Sequence, residues 1–325
     1  MNMPKISLFS LASILSLLLC VSCSNTLTTS AKAQLKLNLQ KGQSYVMHIK
    51  SDQSGTQEVQ KQTSATANSL DAVLRYEVME VSESGYATLS TQYQSVHTKN
   101  EGQGANRSFE YDSQNPPSDP QADARMWDAL LKNSYTITLS SRGAVEEVTG
   151  MEAIRNQALE GLAPAFRQLF RPTFESVFGD QAIKEQMNSY LLVFPEKPVK
   201  IGDSWKSENT FSKGVPVISE STFTLTGRSQ GVVTIRVHKT FSHNPKAGVR
   251  EIGPFTITYT SMTGTQESII EVDEKTGWII KNESSQKLSG EMDMEVAAVG
   301  YHASAAPFTL ESAFLFELVQ PPIED

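Results

Sequence analysis

Thr222-Phe223-Thr224-Leu225-Thr226-Gly227-Arg228-Ser229-Gln230-Gly231-Val232-Val233-Thr234-Ile235-Arg236-Val237 is the stretch whose reading decides the fold. Its centre, Gly227 to Gly231, spells Gly-x-Ser-x-Gly, the pattern of a nucleophile elbow. An elbow needs a strand before the serine and a helix after it, so that a strained turn holds the hydroxyl at the top of a sheet. Here Val232, Val233, Thr234, Ile235 and Val237 follow, and β-branched residues favour a pleated strand. With strand on both sides, Gly227 to Gly231 predicts a hairpin turn, and Ser229 is a turn residue rather than a nucleophile.

The same signature extends in both directions. Residues 45–50, 70–81, 86–98, 107–112, 134–140 and 144–148 alternate apolar and polar side chains or carry β-branched and aromatic runs, as do 204–211, 219–227, 231–241, 255–273, 277–296 and 308–319. Ser82-Glu83-Ser84-Gly85, Ser141-Arg142-Gly143 and Glu274-Lys275-Thr276-Gly277 join neighbours by short turns. Such spacing forces antiparallel pairing, because a parallel pair needs a long crossover. The fold class expected is mainly β, with antiparallel curved sheets arranged as a half-barrel or a sandwich.

The strand-rich regions repeat weakly. Lys41-Gly42-Gln43-Ser44-Tyr45 aligns with Ile201-Gly202-Asp203-Ser204-Trp205, Tyr76 to Tyr93 with Thr222 to Lys239, and Gly143-Ala144-Val145 with Gly277-Trp278-Ile279. The order is kept in both copies, which predicts two related halves, 35–150 and 194–325. Between them, about 151–193 is the only helical region expected. Met151, Ile154, Ala158 and Leu162 fall at helical spacing, and Pro172 should break or kink the helix that follows. Phe166, Phe170, Phe174 and Phe178 form one apolar stripe. A stripe of that size packs on a sheet as core, or lies as a lid over an apolar cavity. Met292 and Met294 alternate with Glu291, Asp293 and Glu295 and would supply the facing apolar surface of that cavity, with the carboxylates on a solvated face. Residues 99–125 read as an irregular, proline- and glycine-containing insert.

At the N-terminus, Lys5 precedes an apolar run, Ile6 to Leu19, too short to span a membrane as a helix. The run ends Cys20-Val21-Ser22-Cys23, which resembles a bacterial lipobox. Residues 1–22 are then a lipoprotein signal peptide, Cys23 is the lipidated residue, and 23–34 is a flexible tether. Two or three acyl chains, at about 0.8 kcal/mol per buried methylene, hold a protein on a membrane where one does not. Ser24 after the cysteine resembles the sorting context of outer-membrane lipoproteins, and Asn25 to Ala31 lacks the acidic cluster that some surface-exported lipoproteins carry, so the body is expected to face the periplasm.

The chain of 325 residues carries a net charge of −8. Without residues 1–22, whose one charged side chain is Lys5, the charge is −9. An acidic body with no basic patch argues against nucleic acid as a partner. Both cysteines, Cys20 and Cys23, lie in the leader region, so the body has no disulfide to form. Five scattered histidines make no metal pattern, and no cofactor is expected.

Three segments resemble a family of bacterial envelope lipoproteins defined only as a domain of unknown function. They are Leu35-Lys36-Leu37-Asn38-Leu39-Gln40-Lys41-Gly42, Tyr135 to Gly150, and Phe194-Pro195-Glu196-Lys197-Pro198-Val199-Lys200-Ile201-Gly202-Asp203-Ser204-Trp205. The resemblance implies no catalytic residues, and the overall plan is similar to the lipoprotein-carrier architecture. The function expected is therefore non-enzymatic binding of an apolar or amphipathic ligand. The alternative is a structural or interaction lipoprotein with a filled core, bound to another envelope protein.

Overall fold

The computed structural model describes residues 31–59, 61–102, 108–117, 122–160, 162–212, 216–252 and 255–320. The signal peptide, Cys23 and the tether up to residue 30 lie outside the described residues.

Among the described residues, thirteen strands join in a single antiparallel sheet. The first half supplies β1 (Ser44–Val59), β2 (Gln62–Val81), β3 (Ala87–Gly102), β4 (Phe109–Asp112), β5 (Tyr135–Leu139) and β6 (Val145–Thr149). The second supplies β7 (Ser204–Thr210), β8 (Val217–Ser229), β9 (Val232–His243), β10 (Arg250–Ile252), β11 (Phe255–Asp273), β12 (Ile279–Val296) and β13 (Tyr301–Gln320). Their spatial order is β6-β5-β3-β2-β1-β13-β12-β11-β9-β8-β7, with β4 beside β3 and β10 beside β11. β6 and β7 end the path without meeting, so the sheet is open and curved rather than a closed barrel or a sandwich.

That order contains the duplication. The run β6-β5-β3-β2-β1 and the run β12-β11-β9-β8-β7 are the same five-strand meander, laid side by side with β13 between them. The local chemistry repeats too. The Gly42 N–H donates to the Val78 carbonyl at 2.9 Å, and the Gly202 N–H to that of Leu225 at 2.8 Å. The Gln43 side chain accepts from the Gln40 N–H, as the Asp203 carboxylate accepts from that of Lys200. Each copy places a bulge just after this contact, between Val78 and Glu80 and between Leu225 and Gly227. The aligned pairs Gly42/Gly202, Gly85/Gly231 and Gly143/Gly277 are left-handed in both members.

The copies interlock through the chain that precedes each one. Ala33 and Val199 form a mutual bridge. Alternate residues of the first extended segment, Ala33, Leu35, Leu37 and Leu39, are buried. Its backbone crosses the second copy's turn, where Asn38 N–H donates to the Thr276 carbonyl and Gly277 leaves no room for a Cβ against Lys36. The second segment crosses the first copy's turn in the same manner. Phe194 N–H donates to the Arg142 carbonyl, and a Cβ on Gly143 would lie 2.6 Å from the Leu192 carbonyl oxygen.

Helices cover one face of the sheet, reaching from the first half onto β9 and β12 of the second. They are α1 (Ala122–Lys132), α2 (Met151–Ala158), α3 (Pro164–Phe178) and α4 (Asp180–Tyr190). Two sequence expectations need correction here. The region 151–193 is not the only helical one, because α1 forms at the end of the 99–125 insert and buries Ala124, Met126, Ala129 and Leu130. Pro172 does not break α3, which continues through it to Gly179. Strands β1 and β2 are also longer than expected, reaching Val59 and back to Gln62. Their extra length, Ser51 to Gly55 and Thr66 to Ser69, carries no large apolar side chain on either face, so the alternation that marks a half-buried strand is missing there.

A candidate ligand cleft across the concave face

Alternate side chains along a strand share a face. Inward positions of β1 read Tyr45, Met47, Ile49, Ser51 and Gln53, and those of β13 read Phe308, Leu310, Ser312, Phe314 and Phe316. The apolar inner face is thus interrupted by polar residues, and the interruption falls at the same register from strand to strand. Gln53 stands opposite Asn68 on one side and Ser312 on the other, and Asn68 stands opposite Asn100. Ser312 faces Gln286, and Gln286 faces Gln266. Gln266 faces Lys239, and Lys239 faces Ser221. One polar row therefore crosses eight strands. Asn100 Nδ2 donates to Asn68 Oδ1 at 2.5 Å, and Gln266 Nε2 to Ser268 Oγ at 2.9 Å.

The row separates two apolar cores. The larger one gathers Tyr45, Leu74, Tyr76, Ile235, Trp278 and Phe316 with α1, α2 and α4. Tyr45 stacks on Trp278 with ring centroids 4.3 Å apart. The smaller core, at the far end of the sheet, holds Phe241, Met262, Leu288, Met292, Met294 and Phe308.

Over the row, the helices leave a cleft of about 930 Å³. This volume is within the range of small-molecule sites, roughly 300–1,000 Å³. Its floor is the first part of the row, Asn100 through Gln266, and its roof comes from Trp127 of α1, Phe174 and Phe178 of α3, and Tyr190 of α4. The roof is knitted by rings. Trp127 meets both Tyr93 and Phe178 edge-on at 5.9 Å, and Tyr190 tilts against Phe314 at 5.1 Å. Edge and offset contacts of this kind fix ring orientation. Burial pushes the Tyr93 phenol up to about 12 and raises that of Tyr190, so both remain neutral hydroxyls.

At one end of the row lies Lys239, only 5% exposed. Its Nζ donates to the Ser189 carbonyl at 2.6 Å and lies 5.9 Å from the centroid of Phe241. Burial lowers its pKa to about 8, because desolvation disfavours the charged form. The neighbouring Asn282 amide donates to the Tyr190 carbonyl at 2.8 Å. Two sheet side chains thus hold the last carbonyls of α4.

Of the residues singled out from sequence, Phe174 and Phe178 do line the cleft. The side chains of Phe166 and Phe170 lie outside the described residues, as does Cys23. Met292 and Met294 are buried but belong to the smaller core, where Gln57 Nε2 donates to Met294 Sδ at 2.9 Å, and so they do not face the phenylalanine stripe across a cavity. The length of β12 carries them past the end of the cleft, whose lining on this strand is Ser284 and Gln286. Ser229 ends β8 at a two-residue turn in which Gln230 (φ 53°) and Gly231 (φ 77°) are both left-handed, the type I′ geometry of a hairpin. Among the described residues, no group of three His, Cys, Asp or Glu is placed to hold a metal ion. No helix among them is long and apolar enough to cross a membrane. Sequence reasoning missed Trp127, Tyr93, Lys239 and the polar row. The available signal was the run of Ser, Asn and Gln at inward positions of successive strands.

No curated protein matches the chain in sequence. Among solved structures, a lipovitellin chain from a study of its lipid–protein interactions is similar with a TM-score of 0.49 and 11% identity, over 87% of this chain and 26% of that one. The chain therefore spans about a quarter of the length of that relative. DynF from the dynemicin biosynthesis pathway of Micromonospora chersina aligns with a TM-score of 0.20 and 8% identity, over 90% of this chain and 88% of that one. An outer membrane channel from Pseudomonas putida F1 aligns with a TM-score of 0.23 and 6% identity, over 87% and 97%. The model of a family of unknown function, DUF6263, matches residues 84–279, more than half of the chain, and the protein belongs to that family.

Proposed function

We propose that this protein is a membrane-anchored, non-enzymatic binding protein whose cleft takes an amphipathic ligand. The observation that carries the reading is the pairing of an aromatic roof with a floor of amides and hydroxyls in one cleft of about 930 Å³, which Lys99, paired with Glu101, also lines. Rings accept the apolar part of a ligand, and the amide row accepts and donates to its polar part. Amides, hydroxyls and rings bind and orient a guest without breaking bonds in it. The lipobox around Cys23 supports anchoring through an N-terminal lipid. The serine after it supports the outer membrane, and the tether's lack of an acidic cluster supports a body on the periplasmic side.

Native mass spectrometry of the protein purified from its own envelope tests this reading. A bound adduct is expected in the wild type, together with its loss in Phe178→Asp, which places a charge among the roof rings. A clean unliganded mass for the wild type would instead favour the interaction lipoprotein with a filled core.

A further inference from the structure

The identity of the polar end of the ligand follows from the end of the row, and it rests on the cleft reading above. Two cations are buried among the described residues, Arg155 and Lys239. Arg155 pairs with Glu152 and Glu175. Lys239 has no carboxylate partner among the described residues, and its one acceptor is the Ser189 carbonyl. An ammonium has three N–H donors, so two are left without an acceptor. A buried charge in that state is costly unless something completes it.

The surroundings of Lys239 are open at one point. A small void of about 10 Å³ touches Lys239, Ser221, Ser268 and Asn282, and it shares Ser189, Tyr190 and Gln266 with the cleft. A void of this size admits about one water-sized atom. Its rim is rich in donors, namely the ammonium, the Ser221 hydroxyl and the Gln266 amide. One oxygen of a planar carboxylate fits there, with the second oxygen left at Gln266 in the cleft. We propose that the ligand is a long-chain carboxylate, with its head on Lys239 and Gln266 and its chain running under Phe174, Phe178 and Trp127.

Photo-crosslinking in membranes that carry the full chain tests the proposal. Palmitic acid and hexadecan-1-ol, each with the same diazirine in the chain, are compared, and the labelled peptides are mapped. The expected result is saturable labelling of α1 and α3, with the acid labelling at about tenfold lower concentration than the alcohol, the preference given by one charge-assisted contact. Lys239→Met should bring the acid to the level of the alcohol and leave the alcohol unchanged, whereas Lys239→Arg should keep the preference. Equal labelling by acid and alcohol in the wild type overturns the carboxylate assignment and leaves the cleft reading intact. That comparison needs no variant, so it stands even if Lys239→Met fails to fold. Acid labelling in a folded Lys239→Met protein at the wild-type level also overturns the assignment. Labelling of the cleft by neither probe overturns both readings.

Discussion

Lys239 shows how one residue can serve the fold and cost it stability together. Its ammonium donates to the Ser189 carbonyl at the end of α4, where the helix dipole favours a cation. Burial nevertheless lowers its pKa from 10.5 to about 8. Below pH 8 the folded protein therefore carries the full penalty, about 3 kcal/mol at 1.36 kcal/mol per pKa unit. Between pH 8 and 10.5 the unfolded chain binds the extra proton, so unfolding free energy rises with pH over that window. Above pH 10 the sign reverses. Tyr76, Tyr93, Tyr135 and Tyr190 all have raised values, and the unfolded chain ionises first. Urea unfolding from pH 7 to 11 should show stability climbing to about pH 10 and then falling. Lys239→Met should lack the climb. Gly277 is a second residue of this kind. It is left-handed and lies against the Lys36 backbone, so Gly277→Ala should destabilise by about 2 kcal/mol or more in the same assay, with Gly143→Ala close behind.

At the scale of the element, α4 has two tasks. One face roofs the cleft with Ile183, Gln186 and Tyr190. The other closes an edge of the sheet. The Asn188 side chain accepts from Val145 N–H at 2.9 Å and donates to the Val145 carbonyl at 3.1 Å, and Lys184 Nζ donates to the Glu146 carbonyl at 2.6 Å. An open edge strand is a template for pairing with another chain. Asn188→Leu should therefore uncover β6 and produce concentration-dependent association, seen as a rise in light scattering while the cleft still binds. The helix α1 contributes Trp127, whose ring sits between Tyr93 and Phe178. Trp127→Ala should weaken ligand binding by about tenfold or more, in keeping with removal of a large, partly buried ring from the roof of a site.

Across the whole molecule, two meanders are spliced into one sheet. β13, the last strand among the described residues, pairs with β1 of the first half and with β12 of the second. The extended segments around Leu37 and Leu192 cross each other's turns, and Ala33 pairs with Val199. The larger core draws residues from both halves, with Tyr45 and Tyr76 against Trp278 and Phe316. Neither half can bury its inner face alone. Thermal unfolding should accordingly show one calorimetric transition, and two separated transitions would contradict the interlocked arrangement. Deleting residues 31–37 removes the segment that seals the Gly277 turn and should lower the melting temperature.

What the sequence determined by itself is local. Strand alternation, hairpin turns and the glycines with left-handed backbones lie within a few residues of one another. The hairpin at Ser229, the antiparallel class, the two related halves and the α2–α4 region were therefore legible. The turns aligned in sequence make matching hydrogen bonds at Gly42 and Gly202. The family of unknown function was legible too, through short motifs such as Tyr135 to Gly150 and Phe194 to Trp205, which lie within the matched residues. Tertiary structure alone decided that the two meanders share one sheet, because the pairing of β1 with β13 joins residues more than 250 positions apart. It alone decided the site, for the same reason. Asn100, Gln53, Gln266 and Lys239 are scattered and unremarkable along the chain. Only the register of eight strands aligns them into one polar row, and only the docking of α1, α3 and α4 leaves a cleft above it. The phenylalanine stripe was visible as a helix face, but its partner was not. The length of β12 carries Met292 and Met294 into a second core, and amides stand where an apolar floor was expected.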